Sequence, residues 1–190
     1  MKRKTMVLDA ETTGVDIIED TPVQICWALY DGEEKTHENE IFIQTPNYPE
    51  NLSKMTGITQ EDLDAGLTAF VAAKTFKDVF WYEKPDVVVG HNIFKFDLMI
   101  IQNWLHKTLR EERFRLPEIN EMYDTMMSAR SVFGTTKWLK LETLCKKLDI
   151  EVDTEKTHNA LYDIDLTAKC YFKMIARSQS NGVAEPFPIK

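Results

Sequence analysis

The sequence is short of cysteine, of glycine and of long apolar runs. Its three cysteines, Cys26, Cys145 and Cys170, form no C-x-x-C pair and have no histidine at zinc-ligand spacing. That argues against a disulfide framework and against a zinc module, and the three read as buried thiols in a reducing compartment. No stretch approaches the roughly 18 apolar residues of a membrane span, and the basic first five residues are not followed by the apolar core of a secretory signal. A soluble cytoplasmic protein is therefore expected. Surplus positive charge is missing too. The formal net charge of -8 disfavours a broad DNA-coating surface, because neutralising phosphates requires clustered Lys and Arg.

What the chain does have is 190 residues with 43% hydrophobic content, enough for one core. No internal repeat, low-complexity tract or inter-domain linker interrupts it, so residues 1–177 read as one domain and the Pro-containing 178–190 as a loosely held tail. Charge is uneven: residues 1–62 hold 13 acidic and 5 basic side chains, residues 101–147 hold 6 and 9. Such a shift suits either a polar partner on one side or a solvated helical face.

Residues 5–9, 22–31 and 35–45, rich in Val, Ile, Phe and Trp with short polar links, predict a three-strand antiparallel meander. Residues 44–53 read as a surface loop. Thr59 is placed to cap a helix over 60–64, and a second helix over 68–82 has Val71, Phe76, Val79 and Phe80 at helical spacing. The all-apolar strand 86–91 suits a sheet interior covered on both faces. A helix over 96–109, a short strand over 121–124, helices over 125–133 and 141–148, and a final helix over 158–177 complete the order. Meander strands followed by alternating strands and helices predict an α/β fold, a mixed five-stranded sheet with helices on both faces.

Acids recur where strands meet helices. Asp9 and Glu11, in "VLDAETTG", are one residue apart on a predicted strand and so share a face. Like charges that close repel unless a cation lies between them, and a divalent ion is the simplest one; solvated acids at an exposed strand end are the plainer reading of any single D-x-E. Asp97 opens a helix in "GHNIFKFD". Asp163, in "HNALYD", heads a mostly apolar stripe with Thr167, Cys170 and Met174, where an acid is costly unless paired or bound to metal. Leu161, Ile164, Ala168, Phe172 and Ile175 form a second stripe, so the last helix should be packed on two sides. Asp165 is about 200° around that helix from Asp163 and cannot share its role. Asp124, in "YDT", reads as the N-cap of the helix that follows.

With these residues in view, the chain resembles the DEDDh branch of the DnaQ-like 3′-to-5′ exonuclease superfamily, over about residues 7–177. The first family motif is matched by Asp9-Ala10-Glu11-Thr12-Thr13-Gly14, the second by Asn92 to Asp97, and the third by His158 to Asp163. The resemblance implies a ribonuclease H-like fold and two Mg²⁺ or Mn²⁺ ions held by Asp9, Glu11, Asp97 and Asp163, with Asp9 bridging and Asp97 acting through water. Four hard oxygen ligands without a thiolate suit such ions, which clamp a phosphate during hydrolysis. His158 is implied as the general base, a task that its ordinary pKa near 6.5 suits. Five residues of ideal helix turn it about 140° from Asp163, so the two converge only if His158 lies on the turn before the helix.

The resemblance also implies that Thr12, Thr13, Val15, Met55, Thr56, His91 and Phe96 hold the terminal nucleotide. The run "MTGITQEDLDAG" and the long second motif are similar to exonuclease I and the three-prime repair exonucleases. Replicative proofreading subunits typically have His where Thr56 stands and a shorter second motif, and no polymerase partner is indicated. Arg110, Arg113, Arg115, Lys137 and Lys140 are placed as guides for phosphates. The expectation is a metal-dependent 3′-to-5′ exonuclease acting on single-stranded DNA ends and releasing nucleoside 5′-monophosphates. A 3′-to-5′ exoribonuclease is the close rival, and a catalytically silent nucleic-acid-binding domain the third reading.

Overall fold

Residues 22–31 alternate between two apolar cores rather than between core and water, and this double burial is the root of the architecture. The computed structural model describes residues 3–110, 121–157 and 159–180. Its strands β1 (Lys4–Thr12), β2 (Pro22–Asp31), β3 (Glu34–Phe42), β4 (Val87–Gly90) and β5 (Glu121–Asp124) form one sheet of order β3-β2-β1-β4-β5. The first three pair antiparallel, and β1–β4 and β4–β5 pair parallel. This is the expected mixed sheet of the ribonuclease H-like type.

Helices cover both faces. On one, Met6, Leu8 and Ala10 of β1 and Ile25, Trp27 and Leu29 of β2 pack with α3 (Ala69–Glu83) and α4 (Asp97–Leu109). On the other, Val7 of β1 and Cys26, Ala28 and Tyr30 of β2 pack with α6 (Leu141–Lys147) and α7 (Ala160–Ser180). α5 (Thr125–Val132) joins the second layer through Ala129. Alternate side chains on a strand point to opposite faces, so consecutive apolar residues in β2 need a helix on each side.

Several boundaries differ from expectation for identifiable reasons. β1 runs on to Thr12 instead of stopping at Asp9, because antiparallel pairing with β2 continues through Glu11↔Gln24 before the register shifts. β3 ends at Phe42, and Ile43 instead bridges Leu67. Residues 44–53 are not all loop: α1 (Glu50–Thr56) starts after Pro49 and is closed by Gly57 in the left-handed conformation, φ 77°. α2 (Gln60–Asp64) has the predicted Thr59 cap, strengthened by Asp62 reaching back to the Thr59 N–H. The inward face of α3 is Ala72, Ala73, Phe76 and Phe80, whereas Val71 is exposed; two alanines let the helix lie close to the sheet. α7 continues through Ser178, which is buried, to Ser180, three residues past the predicted end of the last helix at 177. Both predicted stripes of α7 are used: Cys170 and Met174 are buried from one, Ile164 and Ala168 from the other.

Candidate active site

The parallel pairing of β1 with β4 stops at Val7↔Val89, while the antiparallel pairing of β1 with β2 continues five residues further, to Thr12↔Pro22. β1 therefore projects past its parallel neighbour and leaves an unfilled edge at the carboxyl ends of the strands, the usual ligand crevice of an open α/β sheet. The segment after β4 fills it. Asp97, at the first position of α4, lays Oδ1 3.1 Å from the Ala10 N–H, which donates to it in place of a ladder partner. Asp9 and Glu11 share the face of Val7, the face covered by α7, and Asp163 lies in the first turn of that helix. Three elements thus bring Asp9, Glu11, Asp97 and Asp163 to one end of the sheet.

Their electrostatics are mutual. Burial is the main cause that raises Asp9 well above the usual carboxylate range, and repulsion from Asp97, Glu11 and Asp163 adds to it. Glu11 is pushed up to about 8, by burial first and then by Asp163 and Asp97. Asp97 is raised to about 7 by burial, against the N–H groups that favour its charged form. Asp9, Glu11 and Asp97 form no ion pair with a basic side chain among the described residues. Among those residues, no three His, Cys, Asp or Glu side chains are gathered tightly enough to hold a metal ion. Carboxylates close up around a common point only when a cation offsets their repulsion. The donor set, all carboxylate oxygen, is that of a hard divalent ion.

The other predicted residues divide by what their polar atoms do. Val15, 85% exposed, and Met55, 47% exposed, offer free apolar surface, while Phe96 is half-buried against the α3–α4 core. Thr12 donates its hydroxyl to the Gly14 carbonyl at 2.5 Å, and Thr13 donates to Asp20 at 2.8 Å, closing the loop after β1. Thr56 is buried, its hydroxyl donating to the Leu52 carbonyl and accepting from the Ile58 N–H, so it fixes the end of α1, the helix that carries Met55. His91 Nδ1 lies 2.8 Å from the Thr125 hydroxyl and Nε2 is buried without a hydrogen-bond partner among the described residues; burial lowers its pKa to about 4, keeping the ring neutral. His158, Arg113 and Arg115 lie outside the described residues. Asp165 points elsewhere, pairing with Lys35 at 2.8 Å. All three cysteines are free and buried, with Cys145 and Cys170 sulfurs 3.5 Å apart.

One residue has a larger part than its sequence suggested. Asp124 caps α5 as predicted, Oδ1 accepting from the Met126 and Met127 N–H groups at 2.9 and 3.0 Å. It also accepts from the Asn92 N–H at 3.2 Å and the Phe94 N–H at 3.4 Å, holding the loop that leads to Asp97. Asn92 there has φ 65°, a left-handed conformation that asparagine tolerates better than most side chains. The "YDT" tripeptide signals the cap; the contacts thirty residues away leave no local mark.

A mixed sheet of this order, with acids gathered at the carboxyl ends of its central strands, defines a class. The profile of the exonuclease family, RNase T type, matches residues 6–171, and the chain belongs to that family of nucleases. Among curated relatives, the PolC-type DNA polymerase III of Bacillus subtilis is 30% identical over 94% of this chain and 12% of its own length. That of Listeria monocytogenes is 30% identical over 89% and 11%. The chain therefore spans only about an eighth of these relatives. Escherichia coli exonuclease I in complex with a dA16 oligonucleotide superposes with a TM-score of 0.75 at 18% identity, over 94% of this chain and 42% of that one. Its zinc-bound complex with single-stranded DNA gives 0.77 at 19%, over 94% and 42%. No helix among the described residues is long and apolar enough to cross a membrane.

Proposed function

We propose that this chain is a divalent-metal-dependent 3′-to-5′ exonuclease that shortens single-stranded DNA from its 3′ end and releases nucleoside 5′-monophosphates. The observation that carries this reading is the mutual repulsion of Asp9, Glu11, Asp97 and Asp163, drawn to one end of the sheet by β1, α4 and α7. Exonuclease I, of the same fold, is seen with oligonucleotides and with zinc, which supports a single-stranded DNA substrate and a divalent ion.

Asp9, Glu11, Asp97 and Asp163 would hold two Mg²⁺ or Mn²⁺ ions, whose chemistry when bound is to stabilise charge on the attacking and leaving oxygens. The chain's own contribution is placement. Pairing of β1 with β2 keeps Asp9 and Glu11 on one face, and the Ala10 N–H fixes Asp97 beside them. His158, by its place in the third motif, takes the proton of the attacking water. Val15, Met55 and Phe96 provide apolar surface for the terminal base. Thr12, Thr13 and Thr56 set the loops around it, and neutral His91 closes the second-motif side.

The test is digestion of matched 5′-labelled single-stranded DNA, duplex DNA and RNA with Mg²⁺ or Mn²⁺. A ladder of single-nucleotide steps is expected from single-stranded DNA, abolished by Asp9→Ala and slowed roughly 10²- to 10⁴-fold by His158→Ala. No cleavage with either ion, or cleavage surviving Asp9→Ala, would overturn the proposal.

A further inference from the structure

Against the second-motif loop, with Phe94 in its wall, lies a cavity of about 530 Å³ to which the motif reading assigns no role. Phe94, Met127 and Trp138 form its apolar walls, and Asp124 its inner edge. Trp138 is 45% exposed, and two cations stand over its ring, Lys95 Nζ at 4.2 Å from the centroid and the Arg130 guanidinium carbon at 4.4 Å. Neither cation forms an ion pair among the described residues, and Arg130 Nε is buried without a hydrogen-bond partner. Lys137 and Lys140, both exposed, flank Trp138 in a chain whose net charge is -8. The cavity and the acids share one loop: Phe94 is three residues before Asp97, and Asp124 accepts from the Asn92 and Phe94 N–H groups that lead up to it.

An aromatic platform, unpaired cations and a volume suited to one nucleotide are complementary to single-stranded nucleic acid, whose bases stack and whose phosphates need neutralising. The acidic carboxylate at the edge does not oppose this, because four backbone N–H groups already share Asp124. We infer that this cavity is a second nucleotide subsite, where a base preceding the 3′-terminal one stacks on Trp138 and its phosphate is taken by Arg130 and Lys95. Stacking shifts the exposed Lys95 from the ring to the phosphate. The inference rests on the exonuclease reading for the strand's direction, but the binding it describes needs no catalysis.

The experiment measures fluorescence anisotropy of a 5′-fluorescein oligo-dT dodecamer and a 5′-fluorescein dT dimer, with metal chelated, and competition against each by dTMP, which lacks the second base. Wild type should bind both oligonucleotides more tightly than dTMP. Trp138→Ala should weaken binding of both oligonucleotides about tenfold, the size of one stacking contact, and Trp138→Phe should largely restore it. Arg130→Gln should make dodecamer binding less salt-dependent. Circular dichroism and Tm confirm folding of each variant. If Trp138→Ala and Arg130→Gln bind both oligonucleotides as wild type does, or if dTMP competes as well as the dodecamer, the subsite is refuted. If the wild type fails to shorten the labelled dodecamer with Mg²⁺ or Mn²⁺, the exonuclease reading fails separately, and the anisotropy result stands or falls alone.

Discussion

A carboxyl group buried among other carboxyl groups holds its proton longer than it does in the unfolded chain, and that difference is a stability statement. Glu11 rises from an ordinary 4.5 to about 8, and Asp97 from 3.8 to about 7, burial being the main cause for both. Their contribution is complete below the unfolded values and disappears as pH rises through the folded ones, at about 1.4 kcal/mol per pH unit for each group. With metal chelated, stability should therefore decline between pH 5 and 8, where solvated carboxylates are already ionised. Glu11→Gln should gain on wild type steadily across that window in urea melts. A gain that does not grow with pH would show that Glu11 is not held protonated.

Elements meet at Asp124, which ends β5, caps α5 and ties the loop between β4 and α4. Gly90, the last residue of β4, leaves space for that loop: a Cβ there would lie 2.6 Å from the Ile93 side chain. Asp124→Ala strands four buried or half-buried N–H groups and should cost about 2–4 kcal/mol in urea denaturation, more than an isolated cap of about 1 kcal/mol. Since it frees the backbone leading to Asp97, it should also lower activity. Asp124→Asn, which keeps an acceptor at the same place, should lose less of both. If Asp124→Ala costs no more than a simple cap, the ties to Asn92 and Phe94 carry no load.

Across the whole molecule, the acids link β1, α4 and α7, so a divalent ion bound among them would tie both helical layers to the sheet. Mg²⁺ or Mn²⁺ should raise Tm, and by more at pH 8 than at pH 5.5, since the ion must displace protons from Glu11 and Asp97. An unchanged Tm at pH 8 in millimolar metal would mean that the four acids do not bind it. Much of this was legible beforehand. The apolar run of β2, the capping signal at Thr59 and the order of strands and helices follow from local periodicity, as does the cap at Asp124. Motif spacing singled out Asp9, Glu11, Asp97 and Asp163 as candidates, because D-x-E on a strand and an acid heading a helix stripe are local patterns. The rest depended on partners far along the chain. Continued pairing with β2 carried β1 past Asp9, close packing chose Ala72 and Ala73 over Val71 as the inward face of α3, and the Asn92 and Phe94 N–H groups found Asp124. The cavity between Phe94, Arg130 and Trp138 exists only where two loops meet. Patterns of two to four residues determine secondary structure and single-face chemistry, whereas register, helix rotation and cavities depend on which distant surfaces fill one another's space.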